Sequence, residues 1–136
     1  MGAWGVGIFE DDQSLDWLAG EYSSAGAKAV RATLFETVRT GPEDYLEAPK
    51  GIEARAAAEV VAAANGAGDA ALEERHLAIL LEHADSVRSD KELKKLSIKA
   101  VQRLSGENSE IEELWDGDEE WKSAIAGLLE RLKRMQ

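Results

Sequence analysis

The chain has 136 residues, enough for one domain with a single hydrophobic core, and 27 acidic against 16 basic residues give a formal net charge of −11. Such a charge disfavours nucleic acid and anionic membranes, so the partner we expect is a basic protein. The absence of cysteine excludes disulfides, thiol nucleophiles and thiolate metal sites. No apolar run approaches the roughly 20 residues that cross a bilayer, and the N-terminus lacks the basic start of a signal peptide. We therefore expect a cytoplasmic protein with one helical domain over residues 1–136.

The opening segment, residues 3–9, interleaves glycines with large apolar side chains. These side chains are Trp4, Ile8 and Phe9. Aromatic rings contribute large apolar areas, and glycine lets the backbone turn sharply. We predict an irregular arm over these residues that packs on a helical body, with Asp11 or Asp12 starting the first helix. Deleting about ten residues from this end should then cost several kcal/mol of stability through lost apolar burial.

Apolar spacing predicts two helices after the arm. The first covers residues 12–24 and presents one apolar face, formed by Leu15, Leu18 and Tyr22. Trp17 points to a different side of this helix, and we expect the arm to cover it. The second helix covers residues 27–40, and Gly41-Pro42 ends it because proline cannot continue a helix.

A loop with an aromatic residue and a carboxylate, residues 43–49, separates the second helix from two more. The third helix covers residues 51–64 and has a small-residue face suited to close helix contact. The fourth covers residues 69–87 and follows a turn at Asn65-Gly66. We expect it to bury Leu72, Leu77, Leu80, Leu81 and Ala84, and Ile79 as an additional position.

The last third of the chain completes the predicted bundle. A fifth helix over residues 91–104 carries an outer basic row that we expect to pair with neighbouring acids: Lys91, Lys95, Lys99 and Arg103. Ser109 and Glu112 match a capping box that opens a short helical turn, and Asp118 caps the final helix. The chain is therefore predicted to be all-α, a compact bundle of about six helices with the arm packed on it.

Candidate catalytic and metal-binding residues are few. His76 and His83 share a helix face, but seven residues separate their backbones by roughly 10 Å, too far for two ligands of one metal ion. The Asp116-Gly117-Asp118 triplet lacks the spacing of a calcium-binding EF-hand loop. We expect no metal and no cofactor, and no residue is assigned a catalytic role.

Several segments together resemble one protein family. These are residues 1–12, Met-Gly-Ala-Trp-Gly-Val-Gly-Ile-Phe-Glu-Asp-Asp; Leu15-Asp16-Trp17; residues 45–49 with the alanine-rich helix after them; and residues 109–115 with the following Trp121. In this combination the chain resembles the bacterial domain-of-unknown-function 4259 family along essentially its whole length. The family usually has asparagine where this chain has Asp11. The resemblance implies a small, mostly helical bacterial cytosolic protein, and it brings no activity and no catalytic residue.

Three functional hypotheses follow. The first is a non-enzymatic protein-interaction domain, in a specific form an immunity- or antitoxin-like protein that blocks a basic toxin through complementary charge. The second is an enzyme or small-ligand binder with a site between the arm and the loop that ends at Pro49. The third is a helical self-association domain, so that the chain is a monomer or a homodimer. The candidate binding residues are Trp4, Phe9, Asp12, Asp16, Trp17, Tyr45 and Glu47.

Overall fold

A computed structural model of the protein describes residues 5–135. The chain forms α1 (Asp12–Trp17), a π-helical turn (Leu18–Tyr22), α2 (Ser23–Ala25), α3 (Ala27–Arg39), α4 (Ala48–Ala64), α5 (Glu74–Leu80), a 3-10 turn (Leu81–His83), α6 (Ala84–Ser89), α7 (Leu93–Leu104), α8 (Glu110–Leu114) and α9 (Glu119–Arg134). Within residues 5–135 there is no β-strand, only an isolated bridge between Leu46 and Ser109. The prediction of an all-α fold is confirmed.

Helix α4 is the centre of the fold. It contacts α1, α3, α5, α6, α7, α8 and α9, and every residue from Ala54 to Ala64 is buried. Alanine and valine allow neighbouring helices to approach closely, so the helix is covered on all sides rather than on the one small-residue face that the sequence predicted. The helix begins at Ala48 instead of residue 51. Pro49 occupies its first turn, where a missing N–H costs no helical hydrogen bond.

The first helical run follows the predicted boundaries closely. Asp11 is its N-cap, and the Asp11 Oδ1 atom accepts a hydrogen bond from the Ser14 backbone nitrogen at 2.6 Å. Trp17 is buried, with its ring stacked near that of Tyr22 and its indole N–H donating to the Thr33 hydroxyl at 3.0 Å. Trp17 is therefore a core residue held between its own helical run and α3.

The predicted fourth helix over residues 69–87 is wrong as one continuous element. Residues 65–73 form turns, and a 3-10 turn separates α5 from α6. At the break between α5 and α6, the buried Tyr22 hydroxyl donates to the Leu80 carbonyl at 2.6 Å and accepts from the His83 backbone nitrogen at 3.1 Å. These two bonds divert backbone groups from the helical ladder. Leu81 and Ile79, both predicted to be buried, are exposed.

The described part of the arm, residues 5–10, is irregular and packs on the helices. Ile8 is buried, and Val6 and Phe9 are partly buried against the core. The Phe9 ring stacks on the His76 imidazole, with centroids 4.0 Å apart and planes 4° apart. The arm thus contacts the segment that precedes and opens α5.

Only one of the two predicted caps near the C-terminus is confirmed. The Asp118 Oδ1 atom accepts from the Trp121 backbone nitrogen at 2.9 Å and caps α9 as predicted. The capping box of Ser109 and Glu112 is wrong, because both side chains bond other groups and the Ser109 side chain does not cap α8. The Ser109 hydroxyl donates to the Leu104 carbonyl, and the Glu112 carboxylate accepts from the Trp121 indole nitrogen at 2.8 Å.

Candidate functional site

The loop before α4 and the short helix α8 form one exposed surface. Their backbones join at the Leu46–Ser109 bridge, where the Leu46 nitrogen donates to the Asn108 carbonyl at 2.8 Å and the Glu110 nitrogen donates to the Leu46 carbonyl at 2.9 Å. The Glu110 carboxylate also accepts from the Ala48 backbone nitrogen at 2.8 Å. We call this area the Tyr45 surface and define it as Tyr45, Glu47, Glu110, Glu113 and Leu114.

Arg103 of α7 fixes the position of the Tyr45 surface from behind. Its guanidinium donates to the carbonyls of Thr40, Gly41, Asp44 and Asn108, and so ties the loop after α3 to the turn before α8. The predicted pairing of the basic row with neighbouring acids is wrong: Arg103 bonds backbone carbonyls, and within residues 5–135 Lys91, Lys95 and Lys99 form no ion pair either. Backbone carbonyls at the ends of two segments provide a denser set of acceptors than surface carboxylates do.

Tyr45 is the exposed aromatic residue at the centre of this surface. Its side chain is half exposed, and its hydroxyl donates to the Glu113 carboxylate at 2.7 Å. This hydrogen bond raises the pKa of Tyr45 to about 12, with further contributions from partial desolvation and from the negative charges of Glu113, Glu110 and Glu47. The ring is therefore a neutral, oriented group set among carboxylates.

The carboxylates of the Tyr45 surface lack basic partners. In the part of the chain that the structure describes, Glu47, Glu110 and Glu113 form no ion pair. Leu114 lies beside them and is 53% exposed. An aromatic ring, a leucine and several unneutralised carboxylates thus share one face of the protein.

A second candidate site is a cavity of about 640 Å³ under the arm. We call it the arm cavity. The arm provides one wall with residues 6–10, α4 and α9 provide the floor, and residues 69–76 provide the opposite wall. Its larger apolar side chains come from all of these parts and include Val6, Phe9, Leu72 and Leu128. The volume lies within the range of ~300–1,000 Å³ that is usual for small-molecule sites.

The charged floor of the arm cavity is built on α4. Arg131 of α9 and the Glu59 carboxylate form a two-point ion pair, with N–O distances of 2.7 and 2.9 Å, and Glu59 also accepts from the Asp69 backbone nitrogen at 3.0 Å. Arg55, one turn before Glu59, is 6% exposed, and its guanidinium lies 5.4 Å from the centre of the Trp121 ring. Burial lowers the pKa of Arg55, against the opposing effect of nearby acids.

Glu10 closes the arm over its own glycines. Its Oε1 atom accepts from the Gly7 backbone nitrogen at 3.0 Å, and a Cβ atom at Gly5 would overlap the same carboxylate. The glycines that interleave the opening segment therefore leave room for a carboxylate that folds back along the arm.

The structure distributes the predicted binding residues over separate places. Phe9 lines the arm cavity, whereas Tyr45 and Glu47 belong to the Tyr45 surface and do not line that cavity. Asp12 and Asp16 are exposed on α1. Trp17 is in the core, as described above, and Trp4 lies outside the described residues. Among the described residues, none from the loop that ends at Pro49 lines the arm cavity.

The residues that sequence reasoning missed are Arg55, Glu59 and Arg131. A signal for the first two was present, because Arg55 and Glu59 are charged residues four positions apart in a run of alanine and valine. In a helix buried on every side, such residues must face each other or a polar cavity. Arg131 gives no comparable signal, since α9 carries several basic residues at its exposed C-terminal end.

Several other site types find no support in residues 5–135. There, no three His, Asp or Glu side chains are grouped as metal ligands, and no helix combines the length and apolarity needed to cross a bilayer. The two histidines have structural contacts: His76 stacks on Phe9, and the His83 Nε2 atom lies 2.9 Å from the Ser23 carbonyl oxygen. Glu53, whose pKa burial raises, lies outside the arm cavity beside Gln13.

The comparison with protein families identifies one family. The family model described as Domain of unknown function (DUF4259) matches residues 2–124. The chain belongs to the DUF4259 family. The matched range contains the whole Tyr45 surface of this DUF4259 protein and the arm, while Leu128 and Arg131 of the cavity lie beyond it. No curated protein and no solved structure matches the chain.

Proposed function

We propose that this DUF4259 protein is a non-enzymatic interaction domain that binds a basic protein at the Tyr45 surface. The observation that carries the proposal is the exposed Tyr45 ring, which lies among carboxylates that have no basic partner in the described residues. An arginine from a partner would meet the ring face and these carboxylates together, which combines a cation–π contact with charge-assisted hydrogen bonds.

The charge of the whole chain supports the same proposal. A net charge of −11 attracts a basic partner over a distance of about one Debye length, which increases the rate of encounter. Leu114, next to Glu113, adds an apolar contact that a purely electrostatic encounter would lack. In its most specific form the proposal is a bacterial, cytoplasmic immunity or antitoxin role, in which the partner is a basic toxin.

Partner capture with charge-matched variants tests this proposal. Tagged protein is exposed to native cytosol at about 50 mM and 500 mM salt, concentrations between which surface electrostatics are strongly screened. The surface variant carries Glu47→Gln with Glu113→Gln. The control variant carries Glu74→Gln with Glu130→Gln, which removes the same charge from exposed positions elsewhere.

The proposal expects a basic protein that the wild type and the control variant retain at low salt and that the surface variant loses. The retained protein should elute at high salt, and Tyr45→Ala should weaken its capture as well. Equal retention by the surface and control variants would show that net charge, not the Tyr45 surface, determines binding. Capture that is insensitive to salt would contradict the proposal.

A further inference from the structure

We propose that the arm cavity binds a small zwitterion, an α-amino acid with an apolar side chain, whose carboxylate meets the Arg55 guanidinium. The site is separate from the Tyr45 surface, so each proposal can fail without the other. Three features of the cavity carry the inference: a buried guanidinium that has no hydrogen-bond partner among residues 5–135, two carboxylates that have no basic partner among them, and apolar side chains in the lining.

Arg55 is the group in the cavity that lacks a partner. It is 94% buried, and within residues 5–135 it forms no hydrogen bond and no ion pair; its Nε atom is fully enclosed and unsatisfied. A buried guanidinium without a direct partner is costly, because its desolvation is not offset by hydrogen bonds. The Trp121 ring below it provides partial compensation. The enclosed Nε atom is out of reach of a ligand, but Arg55 also lines the cavity, and a carboxylate there would meet the part of the guanidinium side chain that faces it.

The remaining charges of the cavity require a positive group on the same ligand. Arg131 neutralises Glu59, and Arg75 lies 3.2 Å from Glu73. The lining acids left over are Glu10 and Asp69, which accept from backbone nitrogens and form no ion pair with any described residue.

After these pairings the cavity offers one positive and two negative groups. A bare anion would be repelled by Glu10, by Asp69 and by the net charge of the whole chain. A zwitterion satisfies both signs, because its ammonium group can face the carboxylates while its carboxylate faces Arg55. Charge-assisted hydrogen bonds of this kind are the stronger ones in proteins.

The apolar lining residues determine the class of ligand side chain. Val6 and Phe9 contribute from the arm, Leu72 from the opposite wall and Leu128 from the floor, and the Phe9 ring stacks on the His76 ring. An aromatic or branched aliphatic side chain of the ligand would contact these groups and displace water from them. L-Phenylalanine is therefore the probe that fits all three features.

Three ligands with the same phenyl ring but different charged groups test whether binding requires both charges of the zwitterion. Calorimetric titration of the intact protein compares L-phenylalanine with 3-phenylpropionate, which lacks the ammonium group, and with 2-phenylethylamine, which lacks the carboxylate. L-Phenylalanine should bind at least about tenfold more tightly than either, because each analogue leaves one sign of cavity charge unmet. The Trp121 indole N–H resonance should shift on binding, since this ring lies against Arg55.

Variants locate the site. Arg55→Lys keeps the charge and removes the planar fork, so it should weaken L-phenylalanine about tenfold and leave 2-phenylethylamine unchanged. Arg39→Gln, at an exposed position of α3, is the control and should change neither affinity. The inference is wrong if no ligand binds, if one analogue binds as tightly as L-phenylalanine, or if Arg55→Lys has no effect. Where Arg55→Lys fails to fold, the comparison of the three ligands on the intact protein decides alone.

Discussion

Removing the negative charge of Glu59 should destabilise the protein severely. Glu59 is buried on the central helix, and its carboxylate accepts three hydrogen bonds, two from Arg131 and one from the Asp69 backbone nitrogen. In Glu59→Gln the amide NH₂ group replaces one acceptor and faces a guanidinium that is itself a donor. Arg55, one helical turn away, loses a stabilising negative charge in the same substitution.

The magnitude follows from the burial of this pair. The side chains of Arg131 and Glu59 are 19% and 7% exposed, so the pair is shielded from water, unlike a surface salt bridge. Removing one partner of such a pair leaves an uncompensated buried charge and costs about 3–5 kcal/mol. For a chain of this length the melting temperature should fall by on the order of 10–20 °C.

Urea unfolding followed by circular dichroism measures this loss. Glu130→Gln on α9 is the matched control, because it removes an acid from a pair with Arg134 whose two side chains are each 70% exposed, and it should cost less than about 1 kcal/mol. Replacing both partners, Glu59→Met with Arg131→Met, should recover most of the loss. A cost below about 1 kcal/mol for Glu59→Gln would refute the reasoning, since the pair would then behave as a solvated one.

Two further predictions concern the backbone conformation at Gly26 and the ionisation of Tyr45. Gly26 has φ +58°, and a Cβ atom there would lie 2.9 Å from the His83 ring, so Gly26→Ala should cost more stability than the ~1–2 kcal/mol of the backbone conformation alone. At Gly127 a Cβ atom would meet open space on a helix, so Gly127→Ala should stabilise the protein by up to ~1 kcal/mol. Equal melting temperatures for the two variants would contradict this prediction. Absorbance titration should show Tyr45 ionising near pH 12, and Glu113→Gln should lower this pKa towards 10. Because the pKa of Tyr45 is higher in the folded than in the unfolded chain, the Tyr45–Glu113 hydrogen bond stabilises the fold fully below pH 10, and this stabilisation is lost as the pH rises through about 12. An unchanged Tyr45 titration in Glu113→Gln would show that this hydrogen bond does not raise the pKa.

Local sequence patterns predicted the helical character and several boundaries of the fold. Asp11 and Asp118 cap helices as expected because an N-cap depends on residues within one turn. The capping box of Ser109 failed because the Leu104 carbonyl, five residues earlier, accepts from the hydroxyl, and the Trp121 indole nitrogen, nine residues later, donates to the Glu112 carboxylate. The four-residue pattern does not show this competition, because both competing groups lie outside it.

The central position of α4 and the break near Leu81 could not be predicted from the sequence either. The small residues of α4 predicted one face for close helix contact, but small residues occur nearly all round this helix, and their spacing does not show that neighbours cover every side. The break depends on the Tyr22 hydroxyl, 58 residues away from Leu80 along the chain. The chemistry of the arm cavity depends in the same way on contacts among the arm, α4 and α9.

Substitutions in the arm test most directly whether the arm packs on the helices, because the arm supplies one wall of the cavity and part of the core. Ile8 is 4% exposed, so Ile8→Ala should cost about 2–5 kcal/mol, whereas Leu114→Ala, at a side chain that is 53% exposed, should stay within about 0.5 kcal/mol. Thermal unfolding of both variants beside the wild type is the decisive measurement. A clear drop in melting temperature for Ile8→Ala alone is the expected result. Three coincident unfolding curves would show that the arm does not pack on the helices, and the cavity under it would lose its wall.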